Sequence, residues 1–284
     1  MIKQTRPISE SIIHSQSESE FAHYRREAGD KIIKRKGQFW VESHFGFYQA
    51  ANWLVRMPLA QAVPPAVFYW AYRTSLAQTD VAAANGTMPV NLLQDISRYD
   101  YEHLHSSCRY DLRKSRKLVT IVELTRPDLL YAEGYEVMRS AWSRWGNSFM
   151  PTKAAYLNDI ARAYKTRRMI LAGIADGKLL GYLVGYAVGS TAYIEFIFLA
   201  TESLSTQIGT ALVFDFIQTC RQSGVIREVS YGLCDREDPA EVAFKERMGF
   251  LLVQIPSIVY INPVMAEMLR WFKPHVFYRL TGRG

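Results

Sequence analysis

Apolar residues in this chain follow two rhythms, the alternation of strands and the three-to-four spacing of helices, and the rhythm changes several times along its length. Ile32 to Glu42 and Phe45 to Tyr48 carry β-branched and aromatic residues punctuated by Gly37 and Gly46, and predict strands, with another near Met88 to Leu93. Pro64-Pro65 ahead of Ala66-Val-Phe-Tyr-Trp-Ala-Tyr72 predicts a helix start, because proline is tolerated in a first turn. From Tyr99 to Leu118 the pattern is helical. Val119 to Leu124 then predicts a strand, and Asp128 to Trp145 and Pro151 to Thr166 a pair of helices, the second with Tyr156, Ile160 and Tyr164 four apart.

Three apolar runs follow, Met169 to Ala175, Leu180 to Gly189 and Ala192 to Leu199, the first two joined by Asp176-Gly177, a strong hairpin signal. They predict three antiparallel neighbours. The third run continues through Tyr193-Ile-Glu-Phe-Ile-Phe-Leu-Ala200 to Thr206-Gln-Ile-Gly-Thr-Ala211, the opening of a helix from about Ser205 to Gln222 with Ile208, Leu212 and Phe216 on one stripe. Small residues in an opening turn leave backbone N–H groups free to face an anion, so Gly209, Thr210 and Ala211 read as a pyrophosphate seat. Val229 to Leu233 predicts a strand and Asp238-Pro239-Ala240-Glu241 a helix start, ending at Met248-Gly249-Phe250. A final strand pair is expected through Leu251 to Ile261.

The 284 residues suit two lobes, divided near residue 118 into an N-terminal α/β lobe of residues 1–118 and a second domain of residues 119–284, with residues 1–20 loosely ordered. A net charge of +7 and a pI near 9.2 favour anionic partners: a phosphorylated cofactor, nucleic acid or an acidic membrane surface. On the Tyr99 to Leu118 helix, Arg109, Arg113, Arg116 and Lys117 share a face that reads either as a solvated exterior or as a phosphate-binding ridge. Cys108, Cys220 and Cys234 lack CxxC spacing, and His103-Leu-His105 on a helix would point to different faces, so no metal site is expected. The start has no signal-peptide core, and Arg56, Pro58, Pro64 and Pro65 interrupt the most apolar stretch. These features predict a cytoplasmic protein with no transmembrane segment, free to make peripheral membrane contact. Neither Gly-x-Ser-x-Gly nor a P-loop is present, which removes a serine-hydrolase elbow and P-loop hydrolysis.

The order of helix pair, three-stranded meander, Gly-turn helix, strand, helix ending in Gly-Phe and final strands resembles the GNAT acyltransferase superfamily over about residues 119 to 262. Thr206-Gln-Ile-Gly-Thr-Ala211 lies where that family has Arg/Gln-x-x-Gly-x-Gly/Ala, and Phe244-Lys-Glu-Arg-Met-Gly-Phe250 where it commonly has Phe-Tyr-x-x-x-Gly-Phe. The resemblance implies an α/β fold of GNAT type, with a mixed, mostly antiparallel sheet flanked by helices and a smaller GNAT-like lobe before it. It implies a cofactor site in which backbone groups of Phe198, Leu199 and Ala200 pair with the pantetheine of acetyl-CoA or another acyl-CoA. Thr206, Gln207, Ile208, Gly209, Thr210 and Ala211 would form the pyrophosphate turn. Thr206 stands in place of the family's long donor, and Lys245 where a tyrosine often acts as general acid. The two-lobed layout, with Arg109-Tyr-Asp-Leu-Arg-Lys-Ser-Arg-Lys117 before the second lobe, is also similar to the Fem-type branch, whose aminoacyl donor is transfer RNA.

Acyl transfer to an amine calls for a proton acceptor, and Glu195, within an apolar strand, is the leading candidate; simple alternation would place it with Tyr193 and Ile197, opposite Ile194, Phe196 and Phe198. Tyr231 and Cys234 are candidate acids to the leaving thiolate, and Lys245 reads either as a proton or phosphate partner or as a surface lysine. Trp142, Trp145 and Phe149 mark an expected acceptor entrance. The expected activity is N-acyl transfer from acyl-CoA to an amine of a small molecule or peptide. Its alternatives are a Fem-type aminoacyl-tRNA-dependent transferase and a non-catalytic CoA- or RNA-binding GNAT-like module.

Overall fold

The computed structural model describes residues 5–146, 149–234 and 239–283. In chain order its elements begin with strands β1 (Thr5–Pro7) and β2 (Ser15–Gln16), helix α1 (Glu18–Glu27), and strands β3 (Ile32–Arg35), β4 (Gln38–His44), β5 (Phe47–Ala50), β6 (Ala71–Ser75) and β7 (Gly86–Gln94). Helix α2 (Ser106–Leu118), strand β8 (Thr120–Leu124), helices α3 (Tyr135–Arg144) and α4 (Lys153–Lys165), and strands β9 (Met169–Ala175), β10 (Lys178–Val188) and β11 (Thr191–Leu199) follow. Helix α5 (Ile208–Gln222), strand β12 (Glu228–Leu233), helix α6 (Pro239–Arg247), strand β13 (Leu251–Ile261) and helices α7 (Pro263–Phe272) and α8 (Pro274–Thr281) complete the chain.

Packing divides the chain into two units: Met1–Ser15, Leu93–Tyr231 and Glu246–Phe250 form the first, and Gln16–Leu92, Gly232–Lys245 and Leu251–Gly284 the second. This differs from a single cut near residue 118. Helix α2 packs on α5 and so stays with the first unit, while β13 hydrogen-bonds to β7 and β6 and so joins the second.

In the first unit the strand order is β1-β8-β9-β10-β11-β12, antiparallel throughout except for the parallel β11–β12 pair. The Asp176-Gly177 turn, with both residues at positive φ, closes the β9–β10 hairpin as the sequence predicts. Leu130, Val137, Met138 and Ala141 under α3, and Tyr156, Ile160 and Ala163 of α4, pack with Ile170, Ala172, Tyr182, Val184 and Phe198 on one face of the sheet. Helix α5 covers the other face. There the sheet surrenders side chains to let the helix approach: a Cβ on Gly173 would meet Ile208 Cδ1 at 2.3 Å, and one on Gly185 would meet the Phe216 ring at 2.4 Å. Arg116 of α2 is ion-paired through both guanidinium nitrogens with Asp215, an almost wholly buried carboxylate on α5.

The second unit has strand order β7-β13-β6-β5-β4-β3 around a core of Trp40, Tyr48, Ala50, Met57, Ala62 and Leu76. The segment from Pro64 to Trp70 contains no helix. Its aromatic residues dock instead, Tyr69 edge-to-face on Tyr72 and Tyr260, and Trp70 N donates to Gly46 O at 2.8 Å, so tertiary packing overrides the proline signal. The expected final strand pair is one continuous strand, β13, because it pairs with β7 along its first half and with β6 along its second. Residues 5–20 are not loose: β1 pairs with β8, and Ser17 and Glu20 form a capping box at the start of α1. The expected cap Asp238 lies outside the described residues.

Burial pushes the Asp215 carboxyl up and Arg116 opposes it, so removing Arg116 raises it further. Arg116→Ala is therefore expected to destabilise the fold at pH 7 by about 2–3 kcal/mol, below the value for a fully buried pair because the guanidinium reaches solvent. The deficit shrinks as pH falls through the raised folded-state value and is gone by about pH 3, below the ordinary aspartate value, where the carboxyl is protonated in folded and unfolded chains alike. Arg113→Ala, on the exposed side of α2, should change stability by under about 0.5 kcal/mol; urea titrations at both pH values check this. Gly173→Ala should cost about 1–3 kcal/mol by overpacking Ile208, read by the same titration.

Candidate active site

The first unit opens along its sheet. Strands β11 and β12 pair over only three residues, Thr191–Tyr193 against Glu228–Ser230. Ser190 O, accepting from Arg227 N at 2.8 Å, and Thr191 Oγ1, donating to Glu228 Oε1 at 2.7 Å, fasten that end. Beyond it, among the described residues, β11 runs on to Leu199 without pairing to β12. A bulge coincides with the parting of the strands: the β10–β11 register passes from Gly185↔Ile194 to Val184↔Phe196 and leaves Glu195 as the extra residue.

The bulge re-sorts the faces of the strand. Phe196 and Phe198 stack and lie on the α3–α4 side with Tyr193, while Ile194 and Leu199 lie opposite Gly185 and Gly181 on the α5 side. Simple alternation had Tyr193 sharing a face with Ile197 and not with the phenylalanines; the extra residue reverses that assignment after position 195.

Backbone directions follow from the same ladder. Ala200 N donates to Leu180 O at 3.0 Å, and because hydrogen-bonded pairs recur every second residue, Phe198 and Phe196 also direct their backbone groups to β10. Ile197 and Leu199 therefore face the open edge. Of the three backbone positions expected to meet a pantetheine arm, Leu199 faces this edge and Phe198 and Ala200 face β10, while Ile197, which only the register places, shares the edge with Leu199. The Leu199 carbonyl is engaged by Arg144 Nη1 at 3.1 Å, which also donates to Thr201 Oγ1 at 3.0 Å. Burial pulls the Arg144 guanidinium down from its usual value.

From Leu199 the chain makes a 3-10 turn, Thr201–Thr206, and enters α5 through Gln207 at φ 61°, with no side chain capping the helix. Thr206 Oγ1 turns back to Ser203 O at 2.6 Å and Thr210 N donates to Gln207 O at 3.1 Å. The amides of Ile208 and Gly209 thus stand at the opening, ahead of the helix's first internal bond. Ile208, Thr210 and Ala211 bury their side chains, whereas Gly209 remains half-exposed, with Leu199 Cδ1 only 3.1 Å from where its Cβ would be.

Glu195 is exposed at the bulge and held at both oxygens by Arg168, at 2.9 and 3.2 Å. Arg168 lies 4.7 Å above the Tyr186 ring, which stacks on Tyr193. This bidentate clamp sets the orientation of the carboxylate. The sequence holds no signal for it, since Arg168 is distant along the chain and follows a helix end. Asp159 on α4 feels the Glu195 charge: burial raises its carboxyl, Arg162 opposes this, and Glu195 adds a further upward push.

Trp145 packs on Phe198 and Trp142, and Trp142 Nε1 donates to Phe149 O at 2.7 Å, so the three aromatic residues expected at an entrance do gather beside β11. Trp145, Phe149 and Phe196 remain exposed. Tyr231 on β12 sits edge-to-face on Phe250. Cys234 and Lys245 fall in the second unit. Cys234 is 4% exposed, with its N–H on Pro89 O at 2.8 Å. Lys245 is not a surface lysine: it is 3% exposed, with Nζ 2.9 Å from Glu241 Oε1, one helical turn away. On α2, Arg116 is taken up by Asp215, Arg113 donates to Tyr101 Oη at 2.7 Å, Arg109 leans on Glu102, and Lys117 is exposed, so the expected ridge loses Arg116. His103 lies in a 3-10 turn and His105 caps α2 through Nδ1, and no cluster able to hold a metal occurs among the described residues. No helix among them is long and apolar enough to cross a membrane.

Residues 134–250 match the model of the Acetyltransferase (GNAT) family. No curated protein matches the sequence. The fold is similar to FemX over 92% of this chain and 96% of that one, at a TM-score of 0.64 and 11% identity. It is also similar to L-PGS from Bacillus licheniformis (96% and 100%, TM-score 0.55, 12% identity) and to a tandem GNAT protein from the clavulanic acid biosynthesis pathway (89% and 90%, TM-score 0.50, 12% identity). The family match supports acyl transfer in general: the segment that carries the parted strands, the bulge and the Gly209 turn matches the GNAT family model, in a chain with a Fem-like two-lobed fold.

Proposed function

We propose that the protein is an N-acyltransferase that takes its acyl group from acyl-CoA and delivers it to an amine. The parting of β11 from β12 carries this reading. It leaves a strand edge with Ile197 and Leu199 available to the amides of a pantetheine arm, and that edge leads directly to an uncapped helix opening at Gly209, where dipole and N–H groups favour a pyrophosphate. GNAT folds in general bind acyl-CoA, which fits this order of features. Glu195 takes the proton of the attacking amine, directly or through water, and Arg168 is its positioning residue. Tyr231, on the facing strand of the same unit, is the proposed acid to the departing thiolate.

A Fem-type aminoacyl-tRNA donor is the second reading, favoured by the likeness to FemX over nearly the whole chain. Its phosphate contacts would fall to Arg109, Arg113 and Lys117, since Arg116 holds Asp215. It predicts RNA binding that weakens steeply with salt.

Melting the protein with acetyl-CoA and longer acyl-CoAs tests the donor. At 100 times the dissociation constant the ligand should stabilise by about 2.7 kcal/mol, and Gly209→Glu, which places bulk and negative charge at the helix opening, should abolish the shift. Absence of any shift with every acyl-CoA would remove the CoA reading. Glu195→Gln is expected to lower kcat/KM by about 10²–10⁴-fold at neutral pH, and an unchanged rate at neutral and lower pH would show that the base lies elsewhere.

A further inference from the structure

Helix α7 buries none of its residues, although only Glu267 and Arg270 among them are charged. Ala266 and Leu269 are half-buried, and Arg270 lies 4.8 Å from the Phe277 ring of α8, so this side faces inward. The opposite side shows Val264, Met265, Met268, Trp271 and Phe272 to solvent, with Trp271 81% and Phe272 79% exposed. The patch continues past the helix start. Asn262, which caps α7, donates its N–H to Trp70 O at 2.8 Å; Trp70 packs edge-to-face on Phe68, and Phe68 lies 6.3 Å from Phe45 at the tip of the β4–β5 turn. Phe45, Val67 and Phe68 are likewise exposed, and all of these residues belong to the second unit. So many large apolar side chains exposed within one unit exceed what isolated surface apolar residues explain.

We infer that this face docks on an anionic lipid bilayer, in a role independent of the proposed acyl transfer. Its charges complement such a surface. The one carboxylate of α7, Glu267, is paired with Arg270 at 2.5 Å, and the sequence that follows adds Lys273, Arg279 and Arg283 with no further acidic side chain. Lys273 follows Phe272 directly and is exposed, and at the other end of the patch Glu42 is paired with the exposed Lys31, so both acidic groups at its margins are neutralised. Its shape fits as well. The aromatic side chains stand clear of the protein instead of lining a groove, and protruding Trp and Phe side chains beside the exposed Lys273 suit a deformable interface of headgroups and acyl chains. Ten residues of α7 are too few to span a bilayer, so the helix would lie in the interface plane.

Flotation of the full chain with vesicles of phosphatidylcholine alone, or mixed with phosphatidylglycerol, tests the inference. The protein should float with the mixed vesicles, more weakly at high salt, and poorly with phosphatidylcholine alone. Trp271→Glu with Phe272→Glu should reduce the partition at least tenfold, Lys273→Glu should reduce it less, and Val225→Glu, on an exposed apolar residue of the first unit, should leave it unchanged. Because the substituted side chains are exposed, melting temperatures should match the parent; if the double variant fails to fold, Lys273→Glu and the dependence on lipid charge decide alone. A parent that does not float, or a folded double variant that floats like the parent, overturns the inference. So does a parent that is dimeric and indifferent to vesicles while the double variant is monomeric, since the face would then join two copies of the chain.

Discussion

The candidate site depends on one local failure of pairing. Two parallel strands that share a ladder at Thr191–Tyr193 cease to do so one residue before an extra residue, Glu195, enters β11. A bulge strengthens twist and bends its strand, and past it Ile197 and Leu199 point their backbone groups to an edge that β12 no longer pairs. In a sheet interior such open groups are costly unless something meets them, and here one is already met by the Arg144 guanidinium. The same extra residue turns Glu195 outward to Arg168 and leaves Phe196 and Phe198 on the α3–α4 face. One insertion thereby creates the edge, aims the carboxylate and builds the aromatic floor.

The second requirement is a helix opening brought close to that edge. Gly173, Gly181 and Gly185 remove side chains where α5 crosses the sheet, so that Ile208 and Phe216 fill the space. Burying ten residues of α5 also draws in Asp215, whose charge is tolerable only because Arg116 reaches across from α2. A basic residue that reads as part of a solvated ridge is therefore a structural clamp. Burial of an acid on another helix is what decides the difference, and no spacing along α2 could report it.

Much of the fold was legible along the chain. The Asp176-Gly177 hairpin, the three antiparallel strands, the pair of helices before them and the Gly209 turn are set by short-range signals that tertiary packing does not override. The Pro64-Pro65 segment misled, because Tyr69 and Trp70 gain more from ring packing and a bond to Gly46 than from a helical turn. Helices α7 and α8 drew no expectation, although Asn262-Pro263 is a sound cap and start. The final strands looked like a pair because eleven residues exceed the usual strand length.

Sequence by itself determined the order of elements, the Gly-turn after an apolar strand and the presence of a carboxylate within that strand, since these rest on local periodicity and on residue chemistry. Tertiary structure alone decided that Ile197 and Leu199, not Phe198 and Ala200, face the open edge, that Glu195 is clamped by Arg168, that Lys245 is buried, and that the outer face of α7 is left uncovered. Each of these depends on register or on which surfaces meet. A one-residue shift in pairing reverses every backbone direction after it, and neighbours distant in sequence leave no trace in local pattern.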